Sequence, residues 1–213
     1  MRNWKDSNFT RWTRRLKAFS ELNRLSLIFF VLFLQACSSL QQNVEVENLT
    51  HPSQIRQFTI SGKMAIKVPG NNKSATFYWQ QDQLAYDIQL STYLGIQVAD
   101  ISGTPEYIEI KADGEYYQSN APEQLIANQI GWQLPINALS NWVKGLHNGV
   151  IATFHPDGLP KKVIVRTSPT QQWALNYLSY QPLGNIQVPH KIKCQTTNLT
   201  VILQINQWEN INQ

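Results

Sequence analysis

From residue 58 onward, apolar and polar residues alternate over most of the chain, in runs broken by short turns. Phe58, Ile60, Met64, Ile66 and Val68 share one face, and Thr59, Ser61, Lys63 and Lys67 share the other. That period of two is the mark of a half-buried strand. Pro69-Gly70-Asn71-Asn72 supplies a turn, Ala75, Phe77 and Trp79 repeat the pattern, and Gln81-Asp82-Gln83 reads as the next turn. Leu84, Tyr86, Ile88 and Leu90 then alternate with Ala85, Asp87 and Gln89. Ile96-Val98 and Ile108-Ile110 continue the pattern around Gly103-Thr104-Pro105. Turns this short cannot house a parallel crossover, so the chain predicts an antiparallel meander.

The period changes once. Asn120 is placed to cap a helix, with Pro122 in its first turn and Leu125, Ile126 and Ile130 on one face. From Pro135, the residues Ile136, Leu139, Trp142, Val143 and Leu146 fit a second helix, with Gly145 near its end. Strand patterns resume over 150–154, 162–166, 173–180, 190–195 and 199–207. The expected fold is mainly β (α+β): one large, strongly curved antiparallel sheet, with two helices inserted midway and packed on its concave side.

The N-terminus is of another kind. Seven Lys or Arg precede Leu25–Leu34, a run of ten residues whose only polar member is Ser26. That length suits a secretory signal and is too short to span a bilayer as a helix. Leu34-Gln35-Ala36-Cys37 follows and resembles a lipobox, in which a small residue precedes the cysteine that takes the lipid. Residues 1–36 are therefore expected to be removed, leaving Cys37 as the lipid-attachment residue. Residues 37–53, rich in Gln, Asn, Ser and Glu, read as a flexible tether, and 54–213 as one domain.

Cleavage changes the electrostatics. Taking seven basic and two acidic residues from totals of 18 and 14 leaves 11 and 12, a net charge of −1. The basic balance of the whole chain belongs to its export signal and gives no support for nucleic-acid binding. With Cys37 lipidated, Cys194 has no partner for a disulfide within the chain, and its place in a strand pattern predicts a buried, inert thiol.

Local signs of chemistry are sparse. His51, His147, His155 and His190 are far apart, and no Cys-x-x-Cys, Gly-x-Ser-x-Gly or Gly-rich phosphate loop appears. No enzyme, cofactor or metal centre is expected. What stands out is apolar surface: seven Trp, eight Tyr and eight Phe with few charges, most of them explained by an aromatic-rich β core. Ser91-Thr92-Tyr93-Leu94-Gly95 is less easily explained, because it places an aliphatic side chain in a turn that should face water. The residues alone leave two options for Leu94: folded back onto the core, or held out in solvent.

Read together, Phe77-Tyr78-Trp79-Gln80-Gln81, Leu94-Gly95, Leu134-Pro135-Ile136, Asn141-Trp142-Val143-Lys144-Gly145-Leu146, Trp173 and Asn206-Gln207-Trp208, following a lipobox, resemble the outer-membrane lipoprotein receptors of the LolB family. Tyr93 departs from the family, which often has proline before the Leu-Gly pair. The resemblance implies an incomplete antiparallel β-barrel closed by two or three helices around a hydrophobic cavity. It implies a monomeric receptor without a cofactor that accepts triacylated lipoproteins from the periplasmic carrier LolA and incorporates them into the outer membrane. Leu94, with Gly95, aligns with the family's membrane-insertion loop. Ser38 in place of an aspartate after Cys37 implies an outer-membrane address facing the periplasm. Strand parity and helix face nominate Phe58, Ile60, Met64, Trp79, Ile88, Leu90, Leu139 and Trp142 as acyl-cavity lining, although ordinary packing accounts for them equally well. Two other readings stand beside this one: an envelope lipoprotein acting as scaffold or assembly factor, and a lipid-acting hydrolase with Ser, His and Asp converging in a cleft.

Overall fold

A computed structural model of the chain describes residues 46–131 and 134–213. Cys37, the leader and the tether up to residue 45 lie outside the described residues. Eleven antiparallel strands form one sheet. β1 (Gln57–Val68), β2 (Asn71–Asp82), β3 (Ala85–Ser91), β4 (Gln97–Thr104), β5 (Tyr107–Ala112) and β6 (Glu115–Ser119) precede the helices α1 (Pro122–Ile130) and α2 (Ile136–Trp142). β7 (Val150–Phe154), β8 (Pro160–Ser168), β9 (Gln171–Leu183), β10 (Ile186–Gln195) and β11 (Thr200–Asn212) follow them.

The order across the sheet is β6-β5-β4-β3-β2-β1-β11-β10-β9-β8-β7. Each half is a meander, and β1 joins β11 to make the two halves one sheet. The outermost strands, β6 and β7, are the pair that flank the helical insertion, so the sheet is not closed on itself.

Register places the apolar residues in rows. Ile60, Trp79, Ile88, Ile101 and Ile110 lie side by side from β1 to β5. Ile66, Val201, Cys194, Leu175 and Val163 do the same from β1 through β11, β10 and β9 to β8. The helices pack on this inner face: α1 contacts β5 and β6, while Trp142 of α2 lies 5.6 Å, centroid to centroid, from Trp173 of β9. The insertion thus reaches from one wing of the sheet to the other.

Several local expectations are corrected. Gln81 and Asp82 belong to β2, not to a turn: Gln81 is buried, accepts from Trp79 Nε1 (3.0 Å) and donates to the Gln83 carbonyl (2.9 Å). The turn moves on to Gln83 and Leu84, which leaves Leu84 69% exposed despite its matching parity. Ile96 and Val98 are likewise exposed, because β4 begins only at Gln97 and a register shift interrupts its pairing with β3. Asn120 does not cap α1; Ala121 holds that position without a side-chain bond, and Pro122 opens the helix. β6 was not anticipated, since Glu115-Tyr116-Tyr117 has no clear alternation. The expected tether also meets structure before it ends. Short 3-10 turns at Val46–Asn48 and Pro52–Gln54 flank Leu49, which is buried in the core.

Candidate functional site

The loop between β3 and β4 is fastened at its base and bare at its tip. Thr92 N–H donates to the Ile96 carbonyl (2.8 Å), Gly95 N–H to the Thr92 carbonyl (3.0 Å), and Ile96 N–H to Thr92 Oγ1 (3.2 Å). Gly95 adopts φ +81°, the left-handed residue that commonly ends a three-residue hairpin loop. This clasp pushes the two side chains before the glycine away from the ladder. Leu94 is 82% exposed and Tyr93 86%, with Ile96 and Val98 exposed beside them. Of the two options open in the sequence, Leu94 takes the solvent-facing one. The sequence reading missed Thr92 as the fastener and Tyr93 and Ile96 as partners in an apolar tip; the run of uncharged residues from Ser91 to Val98 was the available signal.

The nominated interior positions fall where parity placed them. Phe58, Ile60, Trp79, Ile88, Leu139 and Trp142 are buried, and Met64 and Leu90 are half-buried against them. Phe58 stands 6.0 Å from Trp79 and 5.3 Å from Trp208, so aromatic rings tile much of the inner wall. Among these rings, Tyr86 Oη, Tyr177 Oη, Trp173 Nε1 and Trp208 Nε1 are buried without a hydrogen-bond partner. Each such group carries a desolvation cost of about 1–3 kcal/mol.

The titratable groups follow burial. Cys194 is wholly buried, and desolvation pushes its thiol up to about 12. Lys144, just past α2, donates from Nζ to the Ile55 carbonyl (3.2 Å), stands 6.0 Å from the Phe58 ring, and has its pKa lowered by burial. The histidines are dispersed. The His155 ring pairs with the Tyr177 carbonyl (2.7 Å), the His190 ring with the Ile205 carbonyl (2.8 Å), and His51 caps a 3-10 turn.

An open antiparallel sheet with two helices packed on its apolar face, and an aliphatic turn held out in water, defines a half-barrel. The LolB profile, described as "Outer membrane lipoprotein LolB", matches residues 56–208. The outer-membrane lipoprotein LolB of Tolumonas auensis is 33% identical over 88% of this chain and 97% of its own length. That of Shewanella sp. (strain MR-7) is 28% identical over 95% and 94%. Among solved structures, a LolA superfamily protein from Nitrosomonas europaea covers 72% of this chain and 85% of its own, with 6% identity and a TM-score of 0.45. The chain belongs to the LolB family. It is an outer-membrane lipoprotein and a receptor in lipoprotein localisation. No described helix is long and apolar enough to cross a membrane.

Proposed function

We propose that this protein takes triacylated lipoproteins from a LolA carrier into the space between its sheet and helices and releases them into the outer membrane. It works as a monomer, held on that membrane by lipid on Cys37. Leu94 is the residue that meets the bilayer. The observation that carries the reading is its exposure on a fastened tip: Tyr93, Leu94 and Ile96 are kept together in water by two backbone hydrogen bonds and a third to Thr92 Oγ1, a cluster that folding alone gives no reason to build. Burying one leucine stabilises by about 1.5–3 kcal/mol, too little to anchor a protein but enough to bias a transient contact.

Replacing Leu94 with Glu tests the loop. The variant should fold and accept clients from the carrier as before, while insertion of those clients into liposomes falls by tenfold or more, read as the fraction of lipoprotein floating with vesicles. Normal insertion by L94E would remove Leu94 from the mechanism.

A further inference from the structure

Successive turns of a meander lie at opposite ends of the sheet. The Leu94 loop joins β3 to β4, so the β2–β3 turn, the β4–β5 turn and the start of β1 mark the other end. A hollow of about 350 Å³ opens there, between these segments and α2. Its lining includes two cations, Arg56 and Lys144, and no aspartate or glutamate. Acids stand near it but outside the lining: Asp82, between Gln81 and Gln83, accepts from Gln57 Nε2, Glu106 follows Pro105, and the charge of Glu123 of α1 reaches the Tyr86 phenol. Lys144 Nζ uses one of its three donors on Ile55, and no described carboxylate neutralises it.

Three further features set this hollow apart from a solvated surface dip. Tyr86 is among its walls, 6% exposed, and its Oη is buried without a hydrogen-bond partner. Leu84 stands on its rim, largely exposed to water. Inward, its walls are Ile55, Tyr86 and Ile136, all part of the buried core. Cations at the mouth, with apolar walls and a buried spare hydroxyl behind them, complement a molecule that is anionic at one end and aliphatic at the other.

We propose that this mouth is a binding site for a single-chain anionic amphiphile, with its carboxylate or phosphate on Arg56 and Lys144 and its chain directed past Ile55, Tyr86 and Ile136. The proposal rests on the interior being able to accept an acyl chain, and it adds a head-group subsite to that space. Such an amphiphile competes with the acyl chains of a client, so a charged single chain acts as an inhibitor of uptake.

Native mass spectrometry of the mature protein, equilibrated with equal concentrations of palmitate, lysophosphatidylglycerol or neutral monopalmitoylglycerol, tests this. The expected result is occupancy by at least one anionic probe about tenfold above the neutral one, whichever anion is preferred. Lys144→Met, which keeps the aliphatic stem, and Arg56→Gln, at an exposed position, should each bring that probe down towards the neutral level. Binding of monopalmitoylglycerol should stay as in the parent in both variants, and so should the melting temperature of Arg56→Gln, whereas Lys144→Met also loses the bond to the Ile55 carbonyl. Displacement of palmitate by equimolar inorganic phosphate would overturn the amphiphile assignment in favour of a plain anion site. Equal occupancy by all three probes, or an undiminished preference in both variants, would overturn the head-group site while leaving the acyl-accepting interior intact. Absence of binding by every probe would remove the interior as well.

Discussion

Leu94 and Gly95 divide one task between them. Glycine supplies the backbone and leucine supplies the surface. A Cβ at Gly95 would meet open space, so an alanine there is opposed by φ +81° alone, at about 1–2 kcal/mol. Gly95→Ala is expected to lower the unfolding free energy read from urea titration by that amount, whereas Leu94→Ser, at a solvent-facing tip, should leave it nearly unchanged. A loss of stability in L94S larger than in G95A would mean the leucine packs inward in solution. Cys194 shows the opposite relation of side chain to surroundings. Its thiol titrates near 9.0 when unfolded and is pushed up to about 12 by burial in the fold. Between those values the unfolded chain has lost a proton that the native state keeps, so stability falls as pH rises. The contribution is complete below pH 9 and is lost at about 1.4 kcal/mol per unit above it. Tyr86, raised from 10.0 to about 12 first by burial and then by Glu123, adds a second loss beginning a unit later. Lys144, lowered by burial, works in the opposite sense. Equilibrium unfolding of Cys194→Ala against pH should therefore show the decline starting near 10 instead of 9. An unchanged onset would rule out the thiol as its source.

At the scale of elements, the seam between β1 and β11 is where the fold is most exposed to a single change. It alone joins the six-stranded and five-stranded halves, and its register slips between Ser61 and Gly62. A Cβ on Gly62 would fall far inside van der Waals contact distance of the Gln204 carbonyl oxygen, on backbone that cannot rotate away. Gly62→Ala should cost at least about 1–3 kcal/mol and lower the melting temperature by several degrees, more than the same exchange at Gly95. Equal melting temperatures for the two variants would place the seam's tolerance elsewhere. Nothing in the alternating pattern of β1 marks this glycine, because period two reports which face a residue takes and not how near the next backbone comes. The same limit explains the other misses. Leu84 has core parity but falls in a turn, and Gln81 has turn chemistry but finds its partners in Trp79 and Gln83. β6 is a different kind of miss: it pairs with β5 across the two-residue turn Asp113-Gly114, both at positive φ, a local hairpin signal that the alternation of apolar residues does not register. What was legible was the repeated, local part: the meander, the position of the two helices, the inward rows, and the buried cysteine.

On the proposed function, the whole molecule covers acyl chains and then lets them go. Each acyl CH₂ removed from water is worth about 0.8 kcal/mol, so three chains are held in any apolar space that admits them. Release then depends on that space being able to yield. A closed barrel cannot yield without breaking a row of hydrogen bonds. Here the outermost strands β6 and β7 are joined through the helical insertion instead of to each other, so a movement of α1 and α2 against the sheet would leave the ladder unbroken. The sequence did indicate this architecture, by placing its two helices halfway along the meander. It could not show whether the space beneath them is filled, because Phe58, Trp79 and Trp142 would be equally apolar in either case. Ligand binding separates the two. An uncharged apolar fluorophore such as N-phenylnaphthylamine should brighten on mixing with the mature protein, and a triacylated lipoprotein should displace it at near-stoichiometric amounts. The same lipoprotein stripped of its acyl chains should not. Displacement by the stripped polypeptide would move recognition to the outer surface, and with it the balance towards a scaffold that holds proteins without ever enclosing their lipid.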